Sequence, residues 1–306
     1  MKLVFFGSAE FAVPALRAVA PHVVLVVTQP DRPSGRGHRL HSTAVKQVAI
    51  ELGLPVEAPE RCRTPEFVER LRAFETDALL VAAYGQILSQ AVLESARQGG
   101  INLHGSILPK YRGAAPIPRA ILEGEHETGV TLMQMDKGMD SGDIIAIERT
   151  PIGPDETAGQ LQERLATTAA AMASEWMPKI VAGAYPRTPQ NHELATLAPK
   201  IVKEEAELRF EREAEGEYAR FRAFTPSPGP FVVVECAPVR LRAIARATPE
   251  GRPGEILATS PDLIIAFEKG SLGFLEVQPA GKRPISGRDW ANGMRLRVGD
   301  RLADRG

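Results

Sequence analysis

Asn102, His104 and Asp140 are the side chains whose types and spacing could combine to do chemistry: an amide that donates, a ring that exchanges a proton near neutral pH, and a carboxylate that accepts one. If residues 101–104 are extended, successive side chains alternate faces. Asn102 and His104 then point one way, into a shared exposed patch, while Ile101 and Leu103 point into a core. Gly105, Pro109 and Gly113 rule out a continuing strand or a regular helix, so the pair sits where an element ends and a loop begins. Asp140 lies in the turn-forming run Gly138-Met139-Asp140-Ser141-Gly142-Asp143, which can present its carboxylate to the imidazole. Spacing alone leaves a second reading open, in which His104 is a structural strand-end histidine and Asp140 only a turn-former.

The elements that must position these groups follow from periodicity. Apolar runs at residues 3–6, 23–27, 54–58, 78–83, 101–104, 130–135 and 144–148 predict strands. Between them, residues 14–20, 45–52, 64–74, 88–96 and 117–123 carry helical patterns, with Thr64 as a cap and Pro65 at the first helical position. Alternation of this kind predicts an α/β fold, a doubly wound, mostly parallel, Rossmann-like sheet over residues 1–185. A long amphipathic helix at 157–182 closes it. Residues 186–202 are irregular and polar, as a linker would be. In residues 203–306, a helix at 217–224 precedes five short runs, at 231–236, 239–245, 254–258, 263–267 and 273–277, which predict a small open OB-like β-barrel. Dinucleotide binding is disfavoured, because Gly7-Ser8-Ala9-Glu10-Phe11-Ala12 offers one glycine where that fingerprint needs three and would set Glu10 against a pyrophosphate.

Composition narrows the class. At 306 residues with 43% hydrophobic and 25% charged residues, the chain can bury one large core or two ordinary ones. A net charge of -1 means that a polyanionic partner would need a local basic patch. Residues 30–46 supply Arg32, Arg36, Arg39 and Lys46 with no acid after Asp31, a cationic and flexible loop that is either a solvated surface or a phosphate contact. From Arg220 onward there are 14 Lys and Arg against 9 Asp and Glu, notably Arg240, Arg242, Arg246, Lys282, Arg283, Arg288, Arg295 and Arg297. Two isolated cysteines, Cys62 and Cys236, fit a reducing cytosol. Glu10 cuts the first apolar run short of a signal sequence, and no uncharged run approaches the roughly 20 residues of a membrane span. A cytoplasmic protein with no membrane partner is expected.

Asn102-Leu103-His104, Ser106-Ile107-Leu108-Pro109, Tyr111-Arg112-Gly113-Ala114-Ala115-Pro116-Ile117, the run Thr128 to Asp136 and Asp140-Ser141-Gly142-Asp143 closely resemble the folate-dependent formyltransferases. Thr28-Gln29-Pro30-Asp31-Arg32-Pro33 and Leu275-Glu276-Val277-Gln278-Pro279-Ala280-Gly281-Lys282 extend the likeness to essentially the whole chain. Ile107, where the family often has leucine, changes no polar group. The resemblance implies formyl transfer from 10-formyltetrahydrofolate, without a metal, to the amine of initiator methionyl-tRNA by a monomeric enzyme. It further implies that Asn102 donates to the oxyanion of the tetrahedral adduct, that His104 stabilises the same oxygen and relays a proton, and that Asp140 takes the amine proton. Folate would be held by Gln86, Ile87 and Leu88, largely through their backbone, with Ser106, Ile107, Leu108, Pro109 and Gly138. Ile87 as plain core is the alternative. The resemblance places the tRNA-inserting arginine at Arg36; further tRNA contacts are expected at Arg39, Lys46, Arg240, Lys282 and Arg283. The rival readings are a formyltransferase acting on a small amine or nucleotide sugar, and a tRNA-binding module with a decayed site. The cationic loop and the barrel disfavour the first, the intact trio the second.

Overall fold

The computed structural model describes residues 1–34 and 39–302, giving only the backbone at 33, 34, 39 and 40. Two compact units make up the chain. The first comprises Met1–Pro116, Glu127–Pro151 and Leu161–Pro199; the second comprises Ile117–His126, Ile152–Gln160 and the residues from Lys200 on.

In chain order the elements are β1 (Leu3–Gly7), α1 (Val13–Val19), β2 (Val23–Val27), β3 (Arg32–Ser34), β4 (Arg39–His41), α2 (Ala44–Glu51), β5 (Val56–Glu57), α3 (Pro65–Ala73), β6 (Ala78–Ala82), α4 (Gln90–Leu93) and β7 (Gly100–His104). There follow α5 (Pro116–Leu122), β8 (Glu127–Gln134), β9 (Ile144–Pro151) and α6 (Ala158–Val181). The sheet runs β5-β2-β1-β6-β7-β8-β9, parallel from β5 to β7 and antiparallel from β7 to β9. β1 and β6 are buried at every residue, as expected of strands covered on both faces. After β1 the chain winds outward through β2 and β5, then returns to the other side of β1 for β6. That reversal sets the topological switch point at the carboxyl ends of β1 and β6, where such sheets commonly bind ligands.

Local signals explain the helix starts. Thr64 Oγ1 accepts from Phe67 N at 3.3 Å with Pro65 next in sequence, and Thr43 Oγ1 accepts from Lys46 N at 3.1 Å. The helix expected over 88–96 is only α4, capped by Ser89. Ser95 Oγ turns back onto Val92 O at 2.7 Å, competing with helical propagation just before Gly99-Gly100. The loop expected over 30–46 carries a short hairpin, β3 against β4, and the first turn of α2. Residues 186–199, expected to be a connecting stretch, belong to the first unit and bond the loop that follows β7, with Arg112 N on Thr196 O at 2.8 Å and Ala198 N on Arg112 O at 2.7 Å.

The second unit holds α7 (Ala214–Ala223), β10 (Phe231–Val234), β11 (Ala237–Ala247), β12 (Ile256–Ala258), β13 (Leu263–Ala266), β14 (Ser271–Pro279), β15 (Ile285–Ser286) and α8 (Gly287–Met294). The five expected strands form an antiparallel sheet in the order β10-β11-β14-β13-β12, with β15 added to β14. Its edge strands do not pair with each other, so the barrel is open. Its core is built on Phe221, Phe267, Phe274, Val277 and Trp290. Arg246, one of the basic residues of the stretch from Arg220 onward, is tied down: it pairs with Asp155 and Glu215 at 2.6 Å each and lies 4.0 Å over the Tyr218 ring.

Arg119 clasps Glu205 through two bonds of 2.6 and 3.0 Å, which hold that carboxyl below the usual glutamate range. A depressed carboxylate stabilises the fold above its unfolded pKa, and the contribution is lost as pH falls through the folded value. Arg119→Ala should therefore lower stability by about 1 kcal/mol near neutral pH, the partial exposure of the pair keeping the effect small. The gap from the parent should narrow below about pH 4. Thermal unfolding followed across that range checks both, and a gap that ignores pH would refute the assignment.

Candidate active site

At the mouth of β7, Ile101 and Leu103 are buried in the core and Asn102 and His104 share the opposite face, as alternation requires. The patch is not exposed, however, because the Asp140 turn and the Tyr111 backbone cover it, leaving Asn102 8% and His104 6% accessible. Asp140 Oδ1 accepts from Asn102 Nδ2 at 3.2 Å, and Oδ2 accepts from Gly113 N at 2.9 Å while lying 3.6 Å from His104 Nδ1. His104 Nε2 is 2.8 Å from Tyr111 O. A carbonyl only accepts, so Nε2 carries the hydrogen and Nδ1 is the position left to gain or release a proton beside the carboxylate.

Backbone strain collects here. Tyr111 and Asp140 adopt φ of 62° and 50°, left-handed conformations that non-glycine residues hold only when their surroundings enforce them. Part of the enforcement is close packing. A Cβ on Gly142 would come 2.0 Å from Gln134 O, and one on Gly113 would meet Ala198 O at 2.9 Å, so both positions admit only glycine. Part is polar: Gln190 Nε2 donates to Asp140 O at 2.9 Å and to Gly142 O at 2.8 Å, and its Oε1 accepts from Arg112 Nε at 3.2 Å and Nη2 at 2.7 Å. Arg112 Nη2 also meets His192 Nδ1 at 3.0 Å.

The other expected contacts are placed as follows. Gln86 spends its side chain on the loop itself, accepting from Cys62 N at 3.1 Å and donating to Pro59 O at 3.2 Å, which leaves its backbone for any ligand. Ile87 is 82% exposed, so the core alternative for it is wrong, whereas Leu88 is buried. Ser106 is fully buried: Oγ donates to Lys110 O at 2.7 Å, and its carbonyl accepts from Thr131 Oγ1 at 2.6 Å. Leu108 is buried, while Ile107 and Pro109 are partly exposed. Gly138 is exposed on the Asp140 loop, its N–H donating to Asp136 Oδ1 at 2.9 Å. Lys46 is ion-paired with Asp31 at 2.7 Å. Arg240, Lys282 and Arg283 are exposed on the second unit. Arg36 and the side chain of Arg39 lie outside the described residues. Two clefts of about 410 and 340 Å³ in the first unit hold none of the trio; the convergence of polar groups locates the candidate site better than concavity does.

Sequence reasoning missed Gln190 and gave Arg112 no role. Arg112 had a signal, lying between Tyr111 and Gly113 in the post-strand loop. Gln190 had none, being one polar residue in a proline-containing stretch 50 positions from Asp140.

Comparison with known proteins defines the class. Residues 1–179 match the formyl transferase family model and residues 200–295 match that of the formyl transferase C-terminal domain, and the chain belongs to this family. Its curated relatives include the methionyl-tRNA formyltransferase of Sorangium cellulosum, 43% identical over 98% of both chains. That of Myxococcus xanthus is 42% identical over 97% of this chain and 96% of its own. Among solved structures, WlaRD, a sugar 3N-formyl transferase crystallised in the presence of dTDP and 5-N-formyl-THF, aligns with a TM-score of 0.66 at 18% identity, over 92% of this chain and 99% of its own. HypX from Aquifex aeolicus in complex with tetrahydrofolic acid gives 0.64 at 16% identity, over 97% of this chain and 48% of its own. At such identities these structures establish the fold.

Proposed function

We infer that this enzyme is a methionyl-tRNA formyltransferase, moving a formyl group from 10-formyltetrahydrofolate to the amine of methionyl initiator tRNA in the cytoplasm. The observation that carries the reading is the meeting of Asn102, His104 Nδ1 and the Asp140 carboxylate at one strand end, in a chain whose curated relatives bear that name over nearly its full length. The formyl carbon becomes tetrahedral in transit and its oxygen negative. One N–H of Asn102 is occupied by Asp140, and the other donates to that oxygen, an interaction that lowers such barriers by roughly 3 kcal/mol. Asp140, one chain position from the exposed Met139, takes the proton of the attacking amine, and His104 Nδ1 relays it to N10 of the donor as the bond from the formyl carbon to N10 breaks and tetrahydrofolate leaves. No side chain acts as a nucleophile.

The pterin of the donor suits the loop at residues 83–88, where Ile87 offers an exposed apolar face. The donor supplies the activated carbonyl; Ile107, Pro109 and Gly138 would line its path toward Asn102. The tRNA backbone would be met by Arg36, Arg39, Arg240, Lys282 and Arg283. Lys46 would have to exchange Asp31 for a phosphate to join them. Supplied with labelled 10-formyltetrahydrofolate, the protein should label charged initiator tRNA. Label confined to small amines or nucleotide sugars would overturn the reading. Arg36→Ala should weaken tRNA binding severalfold and reduce the salt slope by about one counterion, with folate binding intact; an unchanged salt slope returns Arg36 to an ordinary surface position.

A further inference from the structure

Gln190 is 6% exposed, and every hydrogen-bonding position of its carboxamide is engaged. Both N–H groups point to carbonyls of one turn, Asp140 O and Gly142 O, while the oxygen receives two N–H groups from Arg112. The arrangement cannot be inverted. A flipped amide would set its oxygen against two carbonyls and its NH2 against a guanidinium. Arg112 is itself 8% exposed and has no carboxylate partner among the described residues, so its charge rests on the Gln190 oxygen and on His192 Nδ1. The residue after Arg112 donates its own N–H to Asp140 Oδ2 at 2.9 Å. The Arg112-Gly113 step thus grips Asp140 twice, at the carboxylate through Gly113 and at the main chain through Gln190. Opposite this grip, Gly142 lies against Gln134 O with no room for a methyl group. The turn is fixed from both sides, with Asp140 in its left-handed conformation.

We propose that Gln190, oriented by Arg112, is a positioning residue for proton transfer: it sets the Asp140 turn so that one carboxylate faces Asn102 and His104 at once. This rests on the formyl-transfer reading above. Misplacement of a reacting group by about 1 Å can cost on the order of a hundredfold in rate, which is the scale on which such a residue acts.

Glu and Met at this position separate positioning from packing. Gln190→Glu keeps the acceptor for Arg112 and the side-chain size, but places an oxygen where two carbonyls need donors. Gln190→Met keeps the volume and removes all four bonds without adding charge. Each variant should lower kcat about 10- to 100-fold with KM for folate and for tRNA within about twofold of the parent. In an Asp140→Ala background neither change should lower kcat by more than about twofold, because its effect runs through the missing carboxylate. A Gln190→Glu protein with parental kcat would show that holding Arg112 is the whole role and would sink the proposal. So would an undiminished loss in the Asp140→Ala background. Should Gln190→Glu fail to fold, the Gln190→Met pair is decided by the same two readings. A parent that labels no methionyl-tRNA overturns the functional reading itself, a result distinct from either.

Discussion

Asp140→Ala should lower kcat about a thousandfold and leave folate affinity within about twofold, the pattern expected of a group used in the transition state rather than in binding. Three contacts disappear together: Oδ1 with Asn102 Nδ2, and Oδ2 with Gly113 N and His104 Nδ1. The acceptor for the amine proton goes with them, and His104 Nδ1 loses its carboxylate neighbour. Asp140→Asn is the sharper comparison, since it can still accept from Gly113 N but is a poor proton acceptor. It should be nearly as slow as the alanine variant. Single-turnover rates with labelled donor, set beside equilibrium folate binding, read the two effects separately. Equal losses in both would assign Asp140 to ligand binding and remove the proposed proton route.

The largest expected effect on stability is at Glu217 in the second unit. Its carboxylate is 1% exposed, with Oε2 accepting from Arg209 N at 2.9 Å and Oε1 from Arg220 Nε at 3.1 Å and Arg212 Nη1 at 3.4 Å. Deleting it leaves the Arg209 N–H unpaired and the mostly covered Arg220 guanidinium without its carboxylate, while the half-exposed Arg212 turns to water, a loss of about 1 to 3 kcal/mol. Glu217→Ala should destabilise by that amount in urea unfolding, and Glu217→Gln by less, because it keeps an acceptor for the Arg209 N–H. A loss below about 1 kcal/mol for the alanine variant would mean that water replaces the carboxylate.

How much of this was legible depends on the distance between partners. β7 and its two polar side chains follow from strict alternation, and α3 from Thr64 and Pro65, because those signals act within a few residues. Five strands of the second unit, β10 to β14, follow from the same period. Their partners do not: Arg246 reads as one more cation in a basic stretch until Asp155, 91 positions earlier, is seen beside it. The near-complete burial of Asn102 and His104 was hidden for the same reason, since the cover comes from the Asp140 turn. α8 is invisible to propensity because Gly287 and Gly293 weaken it; Ser286 Oγ on Asp289 N at 3.0 Å and the buried Trp290 hold it in place. Gln190 marks the limit. Nothing near it in sequence distinguishes it from a solvated glutamine.

The way the second unit is stitched together limits how its evolution could proceed. It takes Ile117–His126 and Ile152–Gln160 from within the sequence span of the first, so no single breakpoint frees it. A fragment ending at Pro199 would keep Arg119 without Glu205, and Asp155 without Tyr218 or Arg246. Chimeras that exchange the C-terminal third between relatives would draw the two members of each of these pairs from different parents unless both inserts travelled with the graft. Recombination would then favour trading this chain whole.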